Sequence, residues 1–457
     1  MQLFGTYDVV VVGAGISGVC SAIKARREGA KTLLVEASGT LGGLITGGRQ
    51  TKPTGLINGG VFQELLDRCV RYKGADPEIR SSYWGKYSGQ FDAEIMQRVI
   101  VEAVEESGVE VLLYAPVTEA IKEARSLKGI EVLTKLGPQM ILAGCTIDAS
   151  GDGDVAVLAG AQAMIGRAGD GLTQPISAYV RLVNVDFPAV ARDFQQHRDD
   201  MWELNVPAKE NATNEDHALV FFATGLTKRI EQAKRDGFNW IIPKNHITFK
   251  AGLIPGEVSL NITRFHGNAL DPRTLTKAAI EIRKQAYNVF DFLKKYVRGF
   301  ENAIFLEVAP KLGVRETRRI VGEYVLTEHD VRHEARFPDA IGLSNCPVDV
   351  HEPGGEKAIM DSVGAGYGVP YRCLVPKDVD SLLLAGRCIS VDEIAFGSTR
   401  NLPVCAFTAE AAAIAAAYAA RHRVEPRNVP ISEIQRALTA ANVVLGTLEE
   451  KSAATGD

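Results

Sequence analysis

The sequence predicts an α/β protein: a parallel sheet covered by helices, extended by a small β-meander and interrupted by an α+β insertion. Three observations carry that expectation. A β-branched run from Val9 to Val12 leads into a G-x-G-x-x-G loop and then a helical pattern. Thirteen glycines fall in residues 1–60 and six in residues 201–300, so the glycine excess is local. Over residues 186–250 the composition turns towards charge and rings, with Trp202, His217, Trp240 and His246.

A chain of 457 residues has room for two or three domains. With 46% hydrophobic and 23% charged residues it is neither disordered, collagenous nor a coiled coil. A net charge of -5 argues against nucleic acid or an anionic membrane as the main partner, although a local basic patch fits the same total. The cysteines at 20, 69, 145, 346, 373, 388 and 405 form no CxxC pair or Cys/His ladder, so no metal site and no redox-active dithiol is expected. Reduced thiols, an N-terminus MQLFGTYD without a basic leader, and an alanine-rich stretch from Pro403 to Ala420 that carries Glu410 together predict a cytoplasmic chain without a membrane span. No internal repeat is present, and the tail Glu449–Asp457 is expected to be disordered.

Val9 to Val12 suit a strand buried on both faces of a parallel sheet. Ile16 to Arg27 read as a helix ended by Gly29, and Thr32 to Val35 as the next strand, ending at Glu36. In the intervening loop Gly13 makes the turn, Gly15 allows the backbone to touch a pyrophosphate, and Gly18 permits close helix–strand packing. The N–H groups of Ile16, Ser17 and Gly18 open the helix and present its positive dipole end to phosphate. Glu36 follows Gly18 by 18 residues, where a carboxylate accepts ribose hydroxyls and disfavours a 2′-phosphate. These parts predict a Rossmann-like dinucleotide-binding unit. A second glycine loop, Leu41 to Gly48, contains Gly42, Gly43, Leu44 and Thr46. A nicotinamide dinucleotide needs no such loop, whereas a flavin must be threaded further along the protein. The alternative is a flexible surface loop, against which stand the apolar Leu41, Leu44 and Ile45.

Asp92 to Glu106 predict a helix with Ile95, Val99 and Val104 on its apolar face, followed by a strand from Val109 to Leu113. Gly129–Leu133 and Met140–Leu142 predict a meander around a Gly137-Pro138 turn, after which Thr146 to Ser150 return to the sheet. Gly151 and Gly153 turn the chain, and Asp152 and Asp154 are candidates to cap the helix that follows. In the insertion, Val258–Phe265 alternate as a strand. Thr276–Tyr296 predict a long helix with apolar Ile280, Ile282, Tyr287, Phe290 and Leu293. Ser381 to Ala385 form an apolar strand closed by Gly386 and Arg387, and Asn401, Leu402 and Pro403 open the alanine-rich helix.

GAGISG (13–18), LLVEA (33–37), GGLITGG (42–48), FDAEIMQRVIVEAVEESGVEVLLYAPV (91–117) and IDASGDGDVAVLAGA (147–161) occur in this order. They are followed by GVRETRRIVGEYVLTEHDV (313–331), CPVDVH (346–351), GVPYRCLVP (368–376) and LLLAGRCISVDEIAFGSTRNLP (382–403). In these blocks the chain resembles FAD-dependent oxidoreductases with two dinucleotide-binding domains, distantly related to fumarate reductase flavoproteins. The resemblance implies FAD, held non-covalently. It places Ala37, Val117, Ala149, Ser150 and Gly151 beside the cofactor, and Gly386, Arg387, Asn401 and Leu402 on the flavin side. It also implies a discontinuous cofactor domain, roughly residues 1–165 and 364–457, around a substrate domain at 166–363.

A flavin supplies the redox chemistry, so the protein adds orientation, charge and often one base. His351 matches a histidine of the family pattern and suits removal of a hydroxyl proton, while a surface histidine before the Pro353 turn is the plain alternative. Arg264, Arg315, Arg372 and Arg400 are candidates to clamp a carboxylate or phosphate, with some of them expected in structural ion pairs. Glu316 lies among three arginines in sequence. Where relatives commonly carry a histidine after GRCIS, this chain has Glu393, either a substrate contact favouring a cationic or hydroxyl-bearing ligand or a partner of Arg387 or Arg400. The relatives' GQAAG-like turn reads AEAAA at 409–413. The expectation is hydride exchange between FAD and a small polar metabolite such as a polyol, sugar or hydroxy acid. The alternatives are reduction of an unsaturated carboxylate and, in a different class, RNA modification. The electron partner and oligomeric state stay open.

Overall fold

Val9 to Val12 lie inside a seven-stranded sheet in a computed structural model that describes residues 2–79, 89–207, 211–353 and 358–448. The tail Glu449–Asp457 lies outside the described residues. Six of its strands, β1 (Gln2–Val12), β2 (Thr32–Val35), β3 (Glu110–Leu112), β4 (Val117–Glu123), β5 (Ser126–Thr134) and β6 (Gly137–Asp148), lie in the order β3-β2-β1-β6-β5-β4, and the seventh, Leu382–Leu384, pairs with β6. β1, β2 and β3 pair in parallel, and β1 also runs parallel to β6. Val9, Val10 and Val11 are fully buried, as a strand covered on both faces requires.

Sequence patterning separates the meander strand around Met140 from the return strand at Thr146, but the structure joins them as β6. The first half of β6 pairs antiparallel with β5. Its second half, Thr146 to Asp148, pairs in parallel with the C-terminal strand Leu382–Leu384. One uninterrupted strand therefore carries both the meander and the returning C-terminal segment.

α1 (Ile16–Arg27) and β2 have the bounds that their sequence patterns predict. Gly29, at φ +88°, takes the left-handed conformation that ends α1. α2 (Gly60–Arg71) and α3 (Ala93–Ser107) pack beside α1. The Asp92 side chain caps α3 by accepting from the Glu94 and Ile95 N–H groups. The short helix α4 (Asp154–Leu158) starts after Gly153 and has no side-chain cap from Asp152 or Asp154, contrary to expectation. Asp148 accepts from the Ala156 N–H instead (2.9 Å), and Ser150 accepts from the Asp154 N–H (3.1 Å).

The insertion has its own antiparallel six-stranded sheet, from strands Val180–Val183, Met201–Asn205, Phe222–Gly225, Ile247–Ala251, Val258–Asn261 and Ile304–Val308. The helix Pro272–Tyr296 buries Ala278, Ile282, Ala286, Val289, Phe292 and Leu293. Its burial corrects the expected apolar face: Ile280 and Tyr287 are more than half exposed. The buried side chains also divide differently from the expected boundary at 363. The insertion's core runs from Ile176 to Val308 and Ala309, whereas Ile320, Leu326, Ile341, Val350 and Val363 join the core of the nucleotide-binding sheet.

Leu402–His422, a 21-residue helix, packs across α1 and β6. Among the described residues it is the one helix long and apolar enough to cross a membrane, and 89% of its most apolar stretch is buried inside the protein. Glu410 within it is 1% exposed and accepts the Val61 N–H at 2.7 Å, serving the start of α2 from another helix. Burial pushes its carboxyl up to about 7. A raised carboxyl favours the fold below its unfolded value, and that contribution disappears as pH rises through about 7. Glu410→Gln keeps the acceptor and removes the charge. Its melting temperature should therefore gain on wild type as pH rises from about 5 to 8, by an equivalent of about 3 kcal/mol. Parallel pH dependences of the two proteins would show that Glu410 titrates normally.

Candidate active site

The loop after β1 shapes the first cleft. Gly13, at φ +94°, sits so close to the return strand that a Cβ there would meet the Ala149 carbonyl oxygen at 2.6 Å. A Cβ on Gly18 would lie 1.6 Å from the Gly13 carbonyl oxygen, so the helix can approach the strand only as glycine. At Gly15 the same construction meets nothing within 4 Å. Gly15 has ordinary extended angles and is the N-cap of α1 without a side-chain cap, which leaves the first N–H groups of the helix for a ligand.

This cleft, of about 190 Å³, is lined by Gly13, Gly15, Ile16, Ser17, Glu36, Gly42, Gly43, Leu44, Ala149, Ser150, Gly151, Arg387 and Leu402, all expected at the cofactor, and by Lys311. The second glycine loop is fixed against the first: the Gly42 N–H donates to the Ala14 carbonyl at 2.7 Å. Glu36 is buried, accepting the Ala14 N–H (2.7 Å) and the Ser38 N–H (2.8 Å). Burial raises its carboxyl, but these hydrogen bonds and the Lys311 charge outweigh that and hold it below the ordinary range. Arg387 is anchored on Asp152 at 2.7 Å, and Thr317 donates to the same carboxylate at 2.6 Å.

Six expected cofactor contacts, Gly18, Ala37, Thr46, Val117, Gly386 and Asn401, do not line the cleft; Gly386 is buried, packed behind Ser17. Thr46 donates to the Leu41 carbonyl (2.6 Å) and holds the second loop in shape. Gly18 is buried in the helix, Ala37 is exposed, and Val117 starts β4 opposite Val132. Asn401 lines the neighbouring cavity.

That neighbouring cavity, of about 150 Å³, shares Leu44, Val314, Arg400 and Leu402 with the nucleotide cleft. It opens in turn onto a cleft of about 650 Å³, sharing Gln50, Lys52, Tyr179, Asn261, Asp349 and His351 with it. The Asp349–His351–Arg400 group stands in this passage. His351 Nε2 lies 3.2 Å from Asp349 Oδ1, and Arg400 Nη2 contacts the Asp349 carbonyl (2.6 Å) and Oδ2 (3.1 Å). Burial, with repulsion from Arg315 and Arg264, pushes His351 down to about 3 despite the opposing Asp349 charge, so its imidazole is neutral near pH 7. Burial would raise Asp349, but His351 and Arg400 hold it far below the carboxylate range. Arg315 also lines the passage and donates to the Pro175 carbonyl (2.6 Å) and Ser177 Oγ (2.9 Å).

Two expected catalytic residues are elsewhere. Arg372 is on the outer surface, paired with Asp339 at 2.9 Å and stacked over Tyr324. Glu393 opens the helix Glu393–Thr399 and lines none of the three cavities; burial and the nearby Glu316 raise its carboxyl. It pairs neither Arg387 nor Arg400, which hold Asp152 and Asp349. Among the three arginines around it in sequence, Glu316 pairs the buried Arg319, and Arg318 reaches Asp154 instead (2.8 Å). Arg372→Ala and Glu393→Gln should both retain FAD and the wild-type rate of flavin reduction within about twofold, with stability changes below about 1 kcal/mol for the exposed Arg372 pair. A tenfold rate loss in either would return that residue to the active site.

The sequence reading missed the lysines. Lys250 is 3% exposed and donates to Tyr179 Oη at 2.7 Å, while Tyr179 itself donates to Gln50. Lys52 lies over the Phe222 ring at 3.3 Å. Burial pushes both amines down to about 7. Trp202 and His246 meet at the large cleft with their rings tilted by 39° and their centroids 4.2 Å apart. Among the described residues no group of three or more His, Cys, Asp or Glu is placed to hold a metal.

A parallel sheet with a glycine loop at the start of its first helix, and an acidic residue ending the second strand, define a dinucleotide-binding protein. The chain belongs to the family described as FAD dependent oxidoreductase, which matches residues 8–438. It is an FAD-dependent oxidoreductase. No protein of curated function matches it. Among solved structures it is similar to a geranylgeranyl bacteriochlorophyll reductase-like protein from Thermoplasma acidophilum, at 14% identity and TM-score 0.45 over 95% of this chain and 83% of that one. A flavin-dependent brominase gives 14% identity and TM-score 0.48 over 96% and 82%. The p-nitrophenol 4-monooxygenase of Pseudomonas putida DLL-E4 gives 11% and 0.45 over 100% and 92%. The FAD assignment agrees with the cleft: the open space at Gly15 is where a side chain would intrude, and uncapped helix N–H groups, Glu36 and Arg387 offer partners for phosphates and ribose.

Proposed function

We propose that this protein exchanges a hydride between FAD and a small polar metabolite bearing a hydroxyl or carbonyl, a hydroxy acid, polyol or sugar. The Asp349–His351–Arg400 group, standing where the nucleotide cleft meets the substrate-sized cavities, carries the reading. In it, Gly13, Gly15, Ile16, Ser17 and the second glycine loop hold the dinucleotide without a covalent bond. Glu36 takes the ribose, and Asn401 and Leu402 bring a helix N-terminus to the ring. Bound FAD supplies a two-electron acceptor or donor.

His351 takes the hydroxyl proton of the substrate as the carbonyl forms, or returns it in the reverse direction. A neutral imidazole can do so, and Asp349 beside Nε2 stabilises the imidazolium that results. Arg400 fixes Asp349 and adds positive charge to the passage. Residues of the insertion's sheet, among them Lys250 and Asn261, line the passage and the cleft onto which it opens. The substrate is a small molecule, and the electron partner is a separate species that the reading leaves open.

Anaerobic mixing of the yellow protein with hydroxy acids, polyols and sugars tests the reading through the flavin absorption band. Bleaching by members of one class supports it; a protein that cannot be loaded with FAD, or a flavin indifferent to every class, overturns it. A second reading, reduction of an unsaturated carboxylate, draws on the cationic lining of Lys52, Lys244, Lys250, Arg264 and Arg315. It would show as reoxidation of photoreduced flavin by such acids.

A further inference from the structure

Arg264 is 1% exposed and is the largest fully buried side chain among the described residues. It lines the 650 Å³ cleft. Nη1 donates to Asn261 Oδ1 (3.0 Å) and to the Thr263 carbonyl (2.9 Å). Nε and Nη2, both buried, have no hydrogen-bond partner among the described residues. In a guanidinium these two nitrogens are neighbours, and their N–H bonds run parallel along one edge. That edge has the spacing of a carboxylate's two oxygens.

Lys244, 3% exposed, lies in the same cleft and donates to the Asn261 carbonyl at 2.8 Å. Asn261 therefore holds two buried cations, one through its side chain and one through its backbone. Among the described residues neither has a carboxylate within ion-pair distance. The ionisable groups acting on them are Arg264 itself, Arg315, Arg400, the Tyr179 phenol and a single carboxylate, Asp349, which is already engaged by Arg400 and His351. Burial without counter-charge drives Lys244 well below its ordinary value and Arg264 down to about 10. A buried cation normally has an anionic partner, and this cleft lacks enough of them.

We propose that Arg264 and Lys244 form a carboxylate-binding subsite, in which Arg264 Nε–H and Nη2–H take the two oxygens and the Lys244 ammonium stands beside them. Taken with hydride exchange, on which this last step rests, the subsite narrows the substrate to an acid: a hydroxy acid or its oxo or unsaturated counterpart, rather than a neutral polyol or sugar. Arg264 then binds and orients, while His351 handles the proton.

Calorimetric titration of the FAD-loaded protein with acetate, malonate, inorganic phosphate and acetamide tests the subsite, with the flavin absorption band as a second readout. Acetate or malonate should bind once per chain and acetamide should not. Arg264→Lys, which keeps the charge but loses the parallel donors, should weaken carboxylate binding at least about tenfold; Arg264→Met should weaken it about a hundredfold, with FAD retained. Lys244→Met should cost about tenfold. The subsite is overturned if the wild-type protein binds no carboxylate, a result independent of any variant's folding, or if Arg264→Lys binds acetate as tightly as wild type. Tighter binding of phosphate than of either carboxylate would mark a tetrahedral-anion site and overturn the assignment. Bleaching by a neutral polyol without carboxylate binding removes the subsite and leaves hydride exchange standing. Carboxylate binding with a flavin inert to every candidate removes hydride exchange and leaves the subsite.

Discussion

Gly15→Val is expected to give a folded, colourless protein. Gly15 has φ -65° and ψ -178°, angles any residue adopts, and a Cβ there meets no protein atom within 4 Å. The substitution therefore costs the fold little, and melting should shift by no more than about 0.5 kcal/mol. The added isopropyl group projects into the cleft where the pyrophosphate would lie, so FAD affinity should fall at least about a thousandfold, or about 4 kcal/mol. Gly13→Ala and Gly18→Ala are the contrast. Their Cβ atoms would collide with the backbone at 2.6 Å and 1.6 Å, so they should lose the fold and the flavin together. Absorbance at the flavin band per chain, beside thermal melting, separates the two outcomes. A Gly15→Val protein that stays fully yellow would move the dinucleotide elsewhere.

His351→Ala should leave the protein yellow and slow flavin reduction by about a hundred- to ten-thousandfold, the usual contribution of a positioned base. The cavity residues that hold the dinucleotide do not include His351, so retention is unaffected. Its imidazole lies near 3, below the ordinary 6.5, through burial first and the Arg315 charge after Asp349 has opposed both. The base form thus persists well below neutrality, and the rate should not fall on going from pH 7.5 to about 5.5 on account of this group. Stability has a related sign. A histidine depressed in the folded state binds its proton more readily unfolded, so it favours folding above 6.5 and loses that contribution as pH falls towards about 3. Stopped-flow reduction across pH, with the alanine variant alongside, checks both. An unchanged rate in His351→Ala would leave the proton to the Tyr179–Lys250 pair.

The nucleotide half of the molecule was legible because its signals are local. A valine run, three glycines at fixed spacing and an acidic strand end each state a backbone requirement within a few residues, and α1 and β2 follow them to the residue. The substrate half was less legible because its chemistry is assembled across a sheet. Lys250 is the one charged residue of the strand Ile247–Ala251, and a period of two does not say whether such a lysine faces water or a cleft. A lone lysine between Phe249 and Ala251 was the one available signal. Lys52 and Lys244 come from segments 192 residues apart, and only the tertiary fold brings them to one cleft. Arg372 and Glu393 failed for the opposite reason. Glu393 sits between Arg387 and Arg400, which do reach the cofactor cleft, but it lies in the first turn of a helix whose Asp392 cap binds the Ala395 N–H, and Arg372 points outward to Asp339. Motif proximity gave the address of the segment and not the direction of the side chain.

The double use of β6 has a consequence for synthesis. Its far edge is closed by Leu382–Leu384, and the face of α1 is covered by Leu402–His422, segments made more than 200 residues after β6 itself. A nascent chain therefore emerges with its nucleotide loop complete in sequence but with one strand edge open and one helix face bare, while the insertion can bury its own core early. Ribosome-stalled or truncated chains ending before residue 382 should consequently be sticky and unable to retain FAD, and the cofactor becomes a late checkpoint of translation.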